Sequence, residues 1–217
     1  METSVETGRA DFEAALATGD ARGALAVVDA MIDEGVEFDD LCEDVIRPAL
    51  YEIGTLWERG KIGVADEHLA TSIAETVLAC IGAISSAPPD AKPRVLVCTT
   101  DGEGHAIGAR MAAESFAAVD WSVRYLGPST PPDEVARAAV EREADVVALS
   151  TTMGANLPAA EETIALVKEA APHVRVLVGG QAYGGDPERA RRVGADLYHD
   201  GLRGVTELVE DALAGRS

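Results

Sequence analysis

A glycine-rich loop at residues 101–108 carries the residue types best suited to chemistry. It reads Asp-Gly-Glu-Gly-His-Ala-Ile-Gly and holds a single histidine, His105. The apolar run before it, residues 94–100, is typical of a buried strand, and residues 109–119 are typical of a helix. The loop therefore lies at the carboxyl end of the first strand of an α/β unit, where open α/β sheets bind ligands. A neutral imidazole there could bind a metal ion; the simpler alternative is an incidental histidine in a tight turn.

The glycines of this loop raise the question of phosphate binding. Gly102, Gly104 and Gly108 allow the backbone to pass close to a large ligand or to adopt a positive φ angle. A dinucleotide-binding fingerprint, however, requires a third glycine where this chain has Ile107, and the loop has no Walker lysine. The pattern therefore argues against a phosphate loop.

Two further short motifs follow the loop at defined distances. Glu103-x-His105-x-x-Gly108 is followed, after 41 intervening residues, by Ser150-x-Thr152, and 26 residues separate Thr152 from the pair Gly179–Gly180. This three-part pattern resembles that of cobalamin-binding domains of the methionine synthase and methylmalonyl-CoA mutase kind. The resemblance covers about residues 90–217.

The resemblance implies a role for each motif. His105 would be the lower axial ligand to cobalt, and a nearby carboxylate, Asp101 or Glu103, would hold its other ring nitrogen and set the tautomer. The dimethylbenzimidazole tail of the cofactor would pass the small residues that end the third and fourth strands, and Tyr183 would line that groove. Many family members carry Asp at the position of Glu103. The cofactor contacts expected in this region are Asp101, Glu103, Gly104, His105, Ala106, Ile107, Gly108, Ser150, Thr152, Gly179, Gly180 and Tyr183.

The composition excludes several classes of function. The formal net charge of -20 argues against direct binding to nucleic acid or to an anionic membrane surface. The chain has no apolar run long enough for a transmembrane helix and no signal-peptide core at its amino terminus. Cys42, Cys80 and Cys98 are widely spaced, so we expect small core residues rather than disulfides or a zinc site. A cytoplasmic location is the default expectation.

The spacing of apolar residues predicts two domains. Residues 1–86 show helical periodicity and predict a small four-helix bundle, which would act as a cap. Residues 87–93, with three prolines, predict a linker. Residues 94–217 alternate strand and helix, which predicts an α/β domain with a flavodoxin-like (Rossmann-type) five-stranded parallel sheet. The predicted strands are 94–100, 121–126, 145–150, 174–178 and 195–198, and the predicted helices are 105–119, 132–143, 157–171, 186–193 and 202–214.

The helical region holds a second motif. Trp57 is followed, after nine intervening residues, by Glu67-His68. Taken alone, this predicts a core tryptophan and a solvated Glu-His pair. Beside the cobalamin pattern, it resembles the adenosyl-capping motif of the CarH-type cobalamin photoreceptors. That resemblance implies that Trp57 packs on the upper ligand and that Glu67 accepts hydrogen bonds from its ribose hydroxyls.

The sequence departs from that family in two respects. Its members carry a basic winged-helix DNA-binding domain of the MerR type ahead of the cap, and we expect none here, so that the output would pass through a protein partner or through self-association. A histidine follows the tryptophan in the best-known members and binds cobalt after photolysis, whereas this chain has Glu58. Water, a carboxylate or His68 would then take that position.

These motifs leave more than one function open. The first is an adenosylcobalamin light sensor, in which loss of the adenosyl group changes the conformation or the oligomeric state, a homo-dimer or tetramer being expected. The second is a corrinoid protein that carries a methyl group between methyltransferases, with methylcobalamin as the cofactor. A flavodoxin-like or receiver module without cobalamin is a third. We expect no catalytic activity of the chain's own, no direct contact with nucleic acid and no membrane association.

Overall fold

The computed structural model describes residues 2–82 and 91–215. The chain divides into two compact units, residues 1–82 and 83–217, and each is considered by itself. The predicted end of the fourth helix at residues 83–86 and most of the predicted linker, residues 87–93, lie outside the described residues.

The first unit is helical throughout its described length. Its elements are α1 (Glu2–Thr18), α2 (Ala21–Asp33), α3 (Phe38–Leu41), a π turn (Cys42–Ile46), α4 (Arg47–Glu58) and α5 (Val64–Ile81). Gly19, at φ 71°, ends α1, and the Asp20 carboxylate caps α2 by accepting a hydrogen bond from the Gly23 N–H at 2.9 Å. Helix α1 packs against α2, α4 and α5, and α5 also packs against α2 and α4. The predicted four-helix bundle is confirmed, with α3, the π turn and α4 forming its third stretch.

Pro48 lies close to the irregular turn in that third stretch. Proline has no N–H, so one hydrogen bond of the helix cannot form at its position. The residue lies in the first turn of α4, after the π turn, and both features are known sites of irregularity within a helix. The third helical stretch therefore runs on past Pro48 without a break in helicity. Cys42 is buried in this turn, whereas Cys80 on α5 is exposed and is not the core residue we predicted.

The second unit is a five-stranded parallel sheet with helices on both faces. Its elements are β1 (Arg94–Thr99), α6 (Ile107–Ala118), β2 (Ser122–Gly127), α7 (Pro132–Glu141), β3 (Val146–Ser150), α8 (Leu157–Ala170), β4 (Arg175–Gly179), α9 (Pro187–Arg192), β5 (Leu197–Tyr198) and α10 (Val205–Leu213). The strand order is β2-β1-β3-β4-β5, which is the predicted flavodoxin-like order.

Alternate residues of the strands form two cores. Leu96 and Cys98 face α7, α8 and α9, whereas Val95 and Val97 face α6 and α10. Because β1 and β3 are covered on both faces, they are short apolar runs, as buried parallel strands are expected to be. Phe116 of α6 stacks on Trp121 with ring centroids 5.3 Å apart, which ties the end of the helix to the start of β2.

Most element boundaries differ from the predictions by one to three residues. Helix α6 begins at Ile107 rather than at residue 105, so His105 lies in the loop and not in the helix. Strand β5 has two residues, Leu197 and Tyr198, instead of four. None of the described helices is long and apolar enough to cross a bilayer.

Candidate functional site

The loop after β1 is held at the carboxyl edge of the sheet by bonds to β3. The backbone N–H of Thr100 donates to the Ser150 carbonyl at 3.1 Å, and the Thr100 hydroxyl lies 2.6 Å from that of Thr151. The loop then turns so that the Glu103 N–H donates back to the Thr100 carbonyl. The two strands therefore bring the first and second sequence motifs together, as their positions in the sheet predict.

Glu103 is the centre of this arrangement, and its side chain is fully buried. One carboxylate oxygen, Oε2, accepts three hydrogen bonds from the loop after β3. The donors are the backbone N–H groups of Thr152 at 3.0 Å and Met153 at 2.8 Å, and the Asn156 side-chain amide at 3.0 Å. A carboxylate that is removed from water in this way needs such donors to stay ionised.

The other oxygen, Oε1, binds His105. It accepts the backbone N–H of His105 at 3.0 Å and lies 2.5 Å from the Nδ1 atom of the ring. Burial by itself raises the pKa of Glu103, but the hydrogen bonds from Met153, His105 and Asn156 outweigh it and lower the pKa from 4.5 to about 2. Glu103 is therefore an anion at neutral pH and can only accept hydrogen bonds.

This anion determines the tautomer of His105. Since Glu103 only accepts, Nδ1 of the neutral ring must carry the proton, and Nε2 keeps its lone pair. The His105 side chain is 64% exposed although its partner is buried. The site thus offers one oriented imidazole nitrogen, Nε2, with a free lone pair at the sheet edge. Such a ligand suits a metal whose other coordination positions are filled by a macrocycle. The residues present fit the cobalt of a corrinoid.

Asp101, the other candidate partner of His105, makes different contacts. Its Oδ1 atom accepts from the Gly102 N–H at 3.0 Å and from the Ser129 hydroxyl at 3.1 Å, and the side chain is exposed. Of the two carboxylates, Glu103 is the one that contacts the His105 ring. The side chain of glutamate at this position is long enough to reach both His105 and the loop after β3.

The glycines of the three motifs serve two distinct purposes. A Cβ atom on Gly180, whose φ is +105°, would lie 2.4 Å from the Thr151 carbonyl oxygen, and one on Gly179 would lie 2.9 Å from the His199 carbonyl oxygen. These two glycines are therefore required by close packing of backbone on backbone. By contrast, a Cβ on Gly104 would meet no atom within 4 Å, and one on Gly108 would lie 3.9 Å from the Ser150 hydroxyl, so the space at these glycines is open.

The remaining predicted residues lie around this edge. Ala106 caps α6, and its carbonyl accepts a hydrogen bond from the Tyr125 hydroxyl at 3.4 Å. Ser150 and Thr152 end β3 and start the loop that holds Glu103. Tyr183 is fully buried and lies 3.4 Å from the Thr151 hydroxyl. Its ring thus has no exposed surface with which to line a groove. Instead, its hydroxyl contacts the loop after β3 at Thr151.

Two residues of the site were missed by sequence reasoning. Met153 and Asn156 lie about 50 positions from Glu103 in the chain, and both donate to its carboxylate. Neither belongs to a spacing motif that we used. The signal that could have found them is the buried carboxylate itself, because a glutamate in a strand-to-helix loop of a parallel sheet needs donors from the neighbouring loop.

The first unit holds the second motif. Trp57 lies in the last turn of α4 and is 48% exposed, which excludes the core tryptophan that the motif alone predicts. Glu67 accepts from the Thr71 hydroxyl at 3.0 Å, and its Oε2 atom lies 3.7 Å from Nε2 of His68. A turn of five residues joins α4 to α5, so all three side chains belong to one end of the bundle.

Comparison with known proteins agrees with this geometry. A B12 binding domain matches residues 93–209, and a second B12 binding domain model matches residues 9–81. The HTH-type transcriptional repressor CarH of Myxococcus xanthus is 32% identical over 143 residues, which are 64% of this chain and 46% of that protein. The chain thus spans about half the length of this relative. Dimethylamine corrinoid protein 1 of Methanosarcina acetivorans is 27% identical over 81% of this chain and 83% of its own length.

Solved structures show the same fold. The monomethylamine corrinoid protein of Methanosarcina barkeri superposes with a TM-score of 0.72 at 16% identity, over 94% of this chain and 96% of that one. The methanol:cobalamin methyltransferase complex MtaBC of the same organism gives a TM-score of 0.54 at 18% identity, over 94% of this chain and 79% of that one. With the first family model covering more than half of the chain, the chain belongs to the B12-binding domain family and is a cobalamin-binding protein.

Proposed function

We propose that the chain is an adenosylcobalamin-dependent light sensor. The observation that carries the proposal is the cluster of Trp57, Glu67 and His68 at one end of the helical unit. An exposed tryptophan and a carboxylate at the same end of the bundle offer an aromatic surface and a hydrogen-bond acceptor, which together suit a nucleoside. The likeness to the repressor CarH, at 32% identity, supports this proposal. When bound, adenosylcobalamin supplies a cobalt–carbon bond that visible light breaks.

The chain's own residues would convert that event into a signal. In the dark state, Trp57 would pack against the adenosyl group and Glu67 would accept hydrogen bonds from its ribose. Loss of the group would leave about half of the tryptophan surface without a partner, which favours a rearrangement of the helical unit or of an interface. We propose a homo-oligomer or a protein partner as the receiver of this change, and no catalytic activity of the chain's own.

A methyl carrier is the second candidate, and a specific finding favours it. The dimethylamine corrinoid proteins match more of this chain than CarH does, 81% against 64%. Under this proposal the cobalt would carry a methyl group between methyltransferases, and His105 would serve as the lower ligand in both cases. The Trp57 cluster would then be a general lid with no preference for an adenosyl group.

The two proposals differ in the upper ligand and in the response to light. The protein is reconstituted with adenosylcobalamin or methylcobalamin in the dark, and absorption spectra and gel-filtration volumes are recorded before and after green light. The light sensor predicts tighter binding of adenosylcobalamin and a change of elution volume on illumination. Tight binding of both cofactors with no change in volume or partner binding would favour the methyl carrier.

A matched pair of variants tests the capping cluster directly. Tyr51 lies on the same helix as Trp57, and the two side chains are 51% and 48% exposed. Under the sensor proposal, Trp57→Ala weakens adenosylcobalamin binding about tenfold and leaves methylcobalamin binding unchanged, since stacking on an exposed ring is worth about 1 kcal/mol or more. Tyr51→Ala should change neither affinity. An equal loss for both cofactors in Trp57→Ala would argue for a general lid.

A further inference from the structure

The second unit has a cleft at the edge of the sheet opposite to His105. It lies beside the amino ends of β1 and β2 and the carboxyl end of α7, and its volume is about 380 Å³. Its charged lining residues are three arginines, Arg94, Arg124 and Arg142, and two glutamates, Glu141 and Glu143, and we call it the arginine cleft. This concentration of positive charge stands out because the chain has only 18 Lys and Arg residues against 38 Asp and Glu.

The strand register places two of these guanidinium groups on one face. Leu96 of β1 pairs with Arg124 of β2, so Arg94, two residues before Leu96, is the diagonal neighbour of Arg124 on the same side of the sheet. This is the side that packs under α7, because Leu96 belongs to that core. Arg142 approaches the cleft from the end of α7.

The two glutamates that line the cleft offset part of this positive charge. Glu143 pairs with Arg94, while Glu141 is engaged by Arg137 at 2.6 Å. Arg124 donates to the carbonyl of its own neighbour Val123 at 3.2 Å. Within residues 91–215, neither Arg124 nor Arg142 forms an ion pair.

The carboxyl end of α7 carries a partial negative charge, so an anion in the cleft must be held by the arginine side chains. Its last carbonyls accept backbone hydrogen bonds, Val140 from the Glu143 N–H and Ala139 from the Ala144 N–H, so they do not face the cleft as bare acceptors. Glu143 has a φ of +49°, a conformation that usually belongs to glycine. Glu143 directly follows the C-cap residue of α7, where a left-handed residue commonly ends a helix.

We propose that the arginine cleft binds a phosphate-bearing small molecule, whose phosphate oxygens are held by Arg94, Arg124 and Arg142. Guanidinium forks match the geometry of phosphate oxygens. Val140, which is 50% exposed at the mouth of the cleft, offers apolar surface to the rest of the ligand. On binding, the phosphate takes the place of Glu143 as the partner of Arg94. This site is separate from the cobalamin edge and stands whichever of the two functions above is correct.

The test is a calorimetric titration of the full chain with inorganic pyrophosphate, at an ionic strength held constant with sodium chloride. We expect saturable one-to-one binding. Arg124→Gln and Arg142→Gln should each weaken it about tenfold, the usual loss when a charge-assisted hydrogen bond is removed. Glu143→Gln should strengthen it several-fold, because it removes the competing carboxylate. A purely structural role for these residues would not produce that opposite sign.

Arg191→Gln is the matched control, because Arg191 is an exposed arginine of the same unit that pairs with Glu188 on α9. It should leave the affinity for pyrophosphate unchanged, and all four variants should keep the thermal stability and the cobalamin spectrum of the wild type. The proposal is overturned if pyrophosphate shows no saturable binding, or if Arg124→Gln and Arg142→Gln bind it as the wild type does. Equal binding of glutarate would also overturn it, since the cleft would then recognise carboxylates in general.

Discussion

Replacing Glu103 by glutamine tests directly whether this carboxylate sets the tautomer of His105. Every contact of the carboxylate is with a donor, and the side chain is fully buried. Glutamine has the same shape but only one acceptor oxygen. If that oxygen faces the loop after β3, its NH₂ group must face Nδ1 of His105. The ring can then accept this hydrogen bond only by moving its own proton to Nε2.

The stability that ionised Glu103 contributes follows from the pKa of its carboxyl group. Glu103 has a pKa lowered from 4.5 to about 2 in the folded chain. Each tenfold difference in acidity is worth about 1.4 kcal/mol, so ionisation stabilises the folded second unit by about 3 kcal/mol at neutral pH. Because the folded-state pKa is the lower one, this stabilisation is fully present above pH 4.5 and is lost as the pH falls through about 2.

We therefore expect Glu103→Gln to lower the free energy of unfolding by about 3 kcal/mol at neutral pH. Urea denaturation measures it, in a Trp57→Phe background so that the buried Trp121 alone reports on the second unit. Nitrogen NMR of the imidazoles at mildly alkaline pH should show the His105 proton on Nδ1 in the wild type and on Nε2 in the variant. With Nε2 protonated, the ring cannot bind cobalt, and the spectrum of bound cobalamin should change accordingly.

Asp101→Asn is the matched control for Glu103→Gln. It removes a carboxylate two residues away that is exposed and bound to Gly102 and Ser129. It should change stability by less than about 0.5 kcal/mol and leave the tautomer of His105 unchanged. Glu103 does not have this role if Glu103→Gln unfolds at the same urea concentration as the wild type, or if the wild-type ring carries its proton on Nε2.

Three further predictions test separate parts of the site. His105→Ala should remove the imidazole ligand from the cobalamin spectrum, and a retained imidazole-bound spectrum would exclude His105 as the ligand. The substitution should also lower the free energy of unfolding by about 1.5 kcal/mol, because the ring is one of the donors to the buried Glu103 carboxylate. Gly180→Ala should lower the free energy of unfolding by about 3 kcal/mol or more, since its Cβ would lie 2.4 Å from the Thr151 carbonyl oxygen at a φ of +105°. Gly104→Ala is the control and should lower it little, because the space around Gly104 is open. Equal melting temperatures for the two variants would contradict this. Asn156→Ala should lower the free energy of unfolding in urea by about 1.5 kcal/mol, because it removes one donor from the buried Glu103 carboxylate. An unchanged free energy of unfolding would mean that water replaces the amide.

Local patterns in the sequence determined the architecture of this protein. Alternation of short apolar runs with helical periodicity predicts a parallel sheet, and five such βα units predict a doubly wound sheet of flavodoxin-like strand order. The same patterns placed His105, Ser150 and Gly179 at the carboxyl edge, because each directly follows, or ends, a predicted strand. The helical first unit was predicted with equal success, since periodicity is a property of neighbouring residues.

Contacts between distant segments were decided only by the tertiary structure. The choice of Glu103 over Asp101 as the partner of His105 depends on donors from a loop about 50 residues away, and pairing of β1 with β3 brings that loop within reach. The burial of Tyr183 likewise depends on packing against a neighbouring strand, as its ring contact with Tyr198 shows. A spacing motif indicates which residues share an edge, but the fold decides which of them touch, because hydrogen bonds require distances of about 3 Å that chain position does not specify.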